Sequence, residues 1–418
     1  MCNTLRLLLI ACLLCTLPEV SRAYSVLTHE QLIDLTWKDL LEPLLKKRFP
    51  KTTAADLNEA HAYAYGGCAI QDLGYYPFSH ALFSNLTHYV RSGDFVTNLL
   101  RDARNANELA FALGALSHYV GDTVGHHDAI NRATAIAFPK LERKYGGTVA
   151  YDQNPHAHIR TEFAFDIDQL SKHRLAPGAY LRFIGLRVPN RLLAQAFEET
   201  YSLPLRDVVG PGRPAIRSYR TSVRSFLPRF AYAETVIHKN DFFPDGATDS
   251  FQTYIDRIER ADFQTVWNHY RRKPGIKTNL LAFVIRILPR IGALSDLAIK
   301  IPTQETQNLY VTSVNHTIEV YADFLKQLTV APQLTRPIAN LNLDTGEDTR
   351  AEAYSLTDKT YATLLHKIVI FPQRRAGPDL IKNILDHYSD DHCSDESKPS
   401  GKTPEVAKDL IALRRHTP

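Results

Sequence analysis

The stretch "LGALSHYVGDTVGHHDAINRA", residues 113–133, places His118, Asp122 and His126 at successive intervals of four, with His127 directly after. Apolar residues fill most positions between them, so the segment reads as a helix with these three side chains on one face. An ordinary core helix would carry Leu or Ala there. Each step of four rises roughly 6 Å, so His118 and Asp122 can share one metal ion. His126, roughly 12 Å from His118 along the axis, must then serve a second. Imidazole and carboxylate are ligands that suit Zn2+.

Around this helix the chain reads as more helices. Residues 29–48 carry apolar residues at helical spacing, with Thr28 as N-cap; 53–68 form a helix closed by Gly66-Gly67; 95–103 and 107–127 follow. "QDLGYYPFSH" (71–80) is turn-like. "NPHAHIRTEFAFDIDQL" (154–170) reads as a helix that sets His158 and Glu162 four apart, a second pair able to chelate one ion. No strand-like alternation and no internal repeat appears, so the expected fold class is all-α. Nine of the 17 histidines fall between His29 and His158.

Composition narrows the function classes. With 44% hydrophobic and 22% charged residues among 418, the chain is globular. Forty-nine basic against 45 acidic residues give a net charge of +4, too mild for a nucleic-acid partner. The first 23 residues read as a signal peptide: Arg6, an apolar "LLLIACLLCTL", Pro18, then "SRA" before a cleavage site. Export is expected, with Tyr24 as the first mature residue. Only Cys68 and Cys393 then remain, and the sequence leaves their pairing open.

The second half is chemically plainer. Residues 204–218 read as a linker or long loop, and 341–358 as a polar loop. The apolar stretch 279–301 is interrupted by Arg286, Pro289, Arg290 and Lys300, which suits a buried pair of short helices or a segment resting on lipid. The expected organisation is a signal peptide (1–23), a metal-binding domain (24–203), a mainly helical C-terminal region (204–388) and a charged, mobile tail (389–418).

The order of "YSVLTH" (24–29), Asp72, "LTHYVRSGD", "SHYVGDTVGH" and "HIRTE" resembles the zinc-dependent phospholipase C family, whose fold is shared with single-strand-specific fungal nucleases. The resemblance covers about residues 24–170. It implies a multi-helix, all-α domain holding three zinc ions. Asp72, His88, His118 and Asp122 would hold one; His126, His158 and Glu162 a second, with open coordination; His29, the amine and carbonyl of Tyr24, and Asp122 a third. His80 is the alternative to His88, and His127 to His126; the family's His-aromatic context favours His88, and the four-residue phase favours His126. Asp72 could also act as general base, and Tyr75, Tyr76 and Phe78 could line a substrate cleft.

The implied activity is phosphodiester hydrolysis by a zinc-activated water, with the glycerol–phosphate bond of a phospholipid as target and a peripheral membrane contact. A nuclease and a non-catalytic zinc-stabilised binding protein are the alternatives. The open coordination of the His126/His158/Glu162 set argues against the last, since structural zinc sites are closed by four protein ligands.

Overall fold

Two helices meet backbone to backbone at the centre of the molecule. A Cβ on Gly67 would lie 2.0 Å from the Phe111 carbonyl oxygen, and one on Gly114 would lie 2.2 Å from that of Ala64. The Gly66-Gly67 pair, expected as a helix-ending signal, lies inside the last helical turn. Its role is this close approach, not a left-handed cap.

The computed structural model describes residues 25–210, 212–261, 263–273, 275–287, 299–331, 334, 336–371, 376–389 and 403–415. The expected signal peptide, Tyr24, Cys393 and residues 288–298 of the apolar stretch lie outside them. The fold is all-α: among the described residues the regular elements are helices, and one isolated antiparallel bridge joins Leu341 to Asp348. Among the described residues, no helix is long and apolar enough to cross a membrane.

The helices that position the site are α1 (Val26–Thr36), α2 (Ala54–Gly67), α3 (Ala81–Tyr89), α4 (Ala106–Gly125), α5 (Asn131–Ala137), α6 (Pro155–Ser171), α7 (Gln304–Val330), α8 (Ser355–Ile370) and α9 (Pro404–Arg415). Helix α4 is apolar nearly all round and accordingly buried, with α2, α1 and α7 packed on it. Asn105 caps its start by accepting from the Glu108 amide. Helix α1 begins at Val26, two residues before the expected Thr28 cap. Asp166 of α6 does the capping from across the fold: it accepts from the Leu27 and Thr28 amides, both at 3.0 Å, and from the Thr28 hydroxyl at 2.7 Å. This clamp fixes α1 one residue from His29.

Buried residues from both sides of the expected 203/204 boundary, such as Tyr201, Val209, Tyr219 and Tyr321, share one apolar core. The stretch 204–218, expected as a linker, forms helices Leu205–Val209 and Gly212–Thr221. Pro214 falls in the first turn of the second, where its missing N–H removes no helical bond. The expected mobile tail also departs from the reading. Residues 404–415 form α9, which packs on α8 because Val406, Leu410 and Leu413 present a helical apolar stripe.

Candidate metal centre

Asp122 is the hub. His118, one turn earlier on α4, brings Nε2 to 3.1 Å from Asp122 Oδ2; His29 Nε2 lies 3.2 Å from Oδ1, and His88 Nε2 is 3.4 Å from Oδ2. His88 Nε2 is also 3.6 Å from Asp72 Oδ1, on the tight turn Gln71–Tyr75. Gly121 leaves room for the His29 ring, which stacks on His118 with centroids 4.3 Å apart. All five side chains are buried.

The other group lies where α4 ends. Gly125 is followed by a wide π-helical turn, His126–Ile130. His126 keeps the α4 phase and is buried, with Nε2 3.7 Å from Glu162 Oε1; His158 Nδ1 is 2.6 Å from the same oxygen. His127 turns outward and pairs with Asp128 at 2.8 Å.

Ring orientation tests whether a metal fits. His118 Nδ1 donates to the Cys68 carbonyl (3.0 Å), His88 Nδ1 to that of Ser84 (2.8 Å) and His126 Nδ1 to that of Leu343 (2.9 Å). A carbonyl only accepts, so each Nδ1 carries a proton and each Nε2 is turned inward, the ring orientation a metal ligand needs. His88 Nε2, His118 Nε2, His126 Nε2 and both Asp122 oxygens are buried without a hydrogen bond. Three sets of donor atoms each gather within 4.8 Å: His29/His118/Asp122, Asp72/His88/His118 and His126/His158/Glu162. Buried nitrogen and oxygen atoms converging in these sets fit Zn2+.

Electrostatics follow from three imidazoles sharing one carboxylate. Burial would raise Asp122, but the His118 charge and the His118, His29 and His88 contacts hold it well below its usual range. Burial would lower His88, yet Asp122 and Asp72 raise it to about 9. His29 gives way: burial and the neighbouring His118 push it down to about 4, despite Asp122. In the other group, burial and His126 hold His158 well below normal.

The remaining sequence candidates separate clearly. His80 is exposed ahead of α3 and belongs to neither group. Tyr75 lies 6.0 Å from the His88 ring, whereas Tyr76 packs against Tyr219 in the core and Phe78 is 73% exposed. His61 is a core histidine, bonded to Asp34 and stacked on Trp37. Cys68 is buried as a free thiol.

Two residues were missed by the sequence reading. Asn131 Oδ1 is 2.8 Å from His158 Nε2, while its Nδ2 donates to the Asp344 carbonyl at 2.9 Å. Asp344 itself is fully buried, with Oδ1 3.5 Å from His126 Nδ1. A cleft of 570 Å³, lined by His127, Asn131, Arg132, Gln153 and Thr345 among others, adjoins Asn131, the partner of His158.

An all-helical domain that buries such histidine–carboxylate groups is suited to binding metal ions. Residues 28–208 match the model of the zinc dependent phospholipase C family, a family of phosphodiester hydrolases. No curated protein and no solved structure matches the chain.

Proposed function

We propose that the protein is an exported phospholipase C that hydrolyses the glycerol–phosphate bond of phospholipids. The observation that carries the reading is the set of inward-facing Nε2 atoms around Asp122 and beside Glu162, within a segment matching that family. Asp72, His88, His118 and Asp122 would hold one zinc; His126, His158 and Glu162 a second; His29, Asp122 and the Tyr24 terminus a third. Bound zinc supplies Lewis acidity, which brings the pKa of water to about 7 and offsets phosphodiester charge. The chain's own part is to hold this charge in a dry setting. Asp122 joins two donor groups, and Asp72, buried against His88, is placed to orient or accept a proton as general base. The cleft beside Asn131 supports substrate access to the second group.

A lipid surface is the partner this reading requires, and one face of the fold supports it. Phe183, Phe226, Leu280 and Phe283 are exposed, alongside exposed Arg182 and Arg229 and half-buried Arg224. Burial and the charges of Arg229 and Arg224 depress Arg182, so these arginines lie close together. The helices Gly178–Ile184, Leu227–Ile237, Phe263–Tyr270 and Ile276–Ile287 and the turn Ser222–Phe226 carry one acidic residue, Glu234, which is buried. Aromatic side chains among unopposed arginines suit an anionic interface.

The test is product release from the zinc-loaded full chain. Liberation of phosphocholine from phosphatidylcholine supports the proposal. Mononucleotides from single-stranded nucleic acid, with no phosphocholine, would replace it with the nuclease reading. Tyr24 at the terminus of the secreted chain, read by mass spectrometry, tests export and cleavage together.

A further inference from the structure

Between Ala339 and Gly346 the chain returns from the far end of the sequence and crosses the elements that carry the ligands. The Leu343 amide donates to the His88 carbonyl at 3.1 Å, and Tyr119 on α4 donates to the Ala339 carbonyl at 2.8 Å. Ser92 donates to the Leu341 carbonyl at 2.6 Å. Gly346 has φ +72°, and a Cβ there would come within 2.3 Å of the Thr123 carbonyl oxygen, so the strap lies directly on α4 beside the π turn.

The dipeptide Leu343-Asp344 orients both histidines of the second group. The Leu343 carbonyl accepts from His126 Nδ1 and aims Nε2 at Glu162. The Asp344 carbonyl accepts from Asn131 Nδ2. That settles which way the Asn131 amide faces, and its Oδ1 then accepts from His158 Nε2, leaving Nδ1 directed to Glu162. The Asp344 side chain anchors the dipeptide: Oδ2 accepts from Tyr89 at 2.7 Å and from Tyr354, and Oδ1 stands 3.5 Å from His126 Nδ1.

We infer that Asp344 is a positioning residue of the metal centre, so that the functional unit runs from His29 to Tyr354, well past residue 208, where the family match ends. This rests on the zinc reading above. Groups that orient a ligand histidine typically contribute 10- to 100-fold in metal affinity. The strap presents two carbonyls and one carboxylate directly to the second group, and it reaches the Asp122 group only through the His88 main chain, the Tyr89 hydroxyl and the more distant charge of Asp344, so its contribution is larger at the second group.

The test is chelator competition and zinc content on the full-length mature chain. Asp344→Ala is expected to release zinc from the His126/His158/Glu162 group at roughly 10- to 100-fold lower chelator concentration than wild type, with a clearly smaller change at the Asp122 group. Asp344→Asn, which keeps an acceptor for Tyr89 and Tyr354 but removes the charge beside His126, should show the same selectivity in smaller degree. It keeps the test open should the alanine variant fail to fold. Arg350→Ala, exposed on the same loop, should behave as wild type. Wild-type retention in both Asp344 variants would overturn the inference, as would equal loss from both groups. A wild-type chain that binds no zinc would instead sink the zinc reading itself.

Discussion

The two donor groups are held in different ways. Around Asp122 the ring nitrogens of two histidines are anchored within the segment that matches the family: His118 leans on Cys68 and His88 on Ser84. The His126/His158/Glu162 group depends on Leu343 and Asp344, more than 200 residues further along. Charge differs too. Two carboxylates serve three histidines in the first group, so His88 retains a proton near neutral pH, whereas His158 is held neutral by burial. Of the two donor groups, the second depends more on residues brought in by the tertiary fold.

The comparison can be broken most forcefully at Asp122. Asp122→Ala removes the carboxylate that three histidines face, and it should abolish hydrolysis and zinc uptake at the first group. Removing one partner of a buried charged set costs about 3–5 kcal/mol, so the metal-free variant should also melt earlier in calorimetry. His118→Ala should likewise abolish activity while circular dichroism stays helical; retained activity would refute its assignment.

At the second group, His126→Ala should eliminate turnover and His127→Ala should leave it near wild type, because only His126 faces Glu162. Reversal of that order would show that the π turn re-forms on metal binding. Asn131→Ala withdraws the acceptor that orients His158, and zinc affinity should fall by roughly 10- to 100-fold.

The smallest effect is a proton count. Below about 9, His88 in the metal-free chain is protonated, and zinc must expel that proton to bind. Titration calorimetry in buffers of different ionisation enthalpy should therefore detect proton release at pH 7.5, fading as pH rises above 9. His29, already neutral above about 4, adds nothing there. Release that persists unchanged at pH 10 would contradict the picture of His88.

What the sequence disclosed follows from range. The His118–Asp122–His126 and His158–Glu162 spacings are local helical geometry, and the structure places each set on a buried helix face. The four-residue phase points to His126 over His127, and His126 is the one turned inward even though the helix widens into a π turn at that point. Asp344 lay in a stretch whose Asn, Thr, Gly and Asp content reads as a solvated loop. The signal available was Leu341 and Leu343 alternating with polar residues, which anchor it inward. Helix α9 was hidden by its charge, although the Val406, Leu410, Leu413 spacing was present throughout.

The most direct measurement is an anomalous-scattering map at the zinc edge from crystals of the mature chain. The account predicts zinc between Asp122 and its surrounding histidines and a further ion among His126, His158 and Glu162. Crystals grown with zinc that show no peak at either group would contradict it.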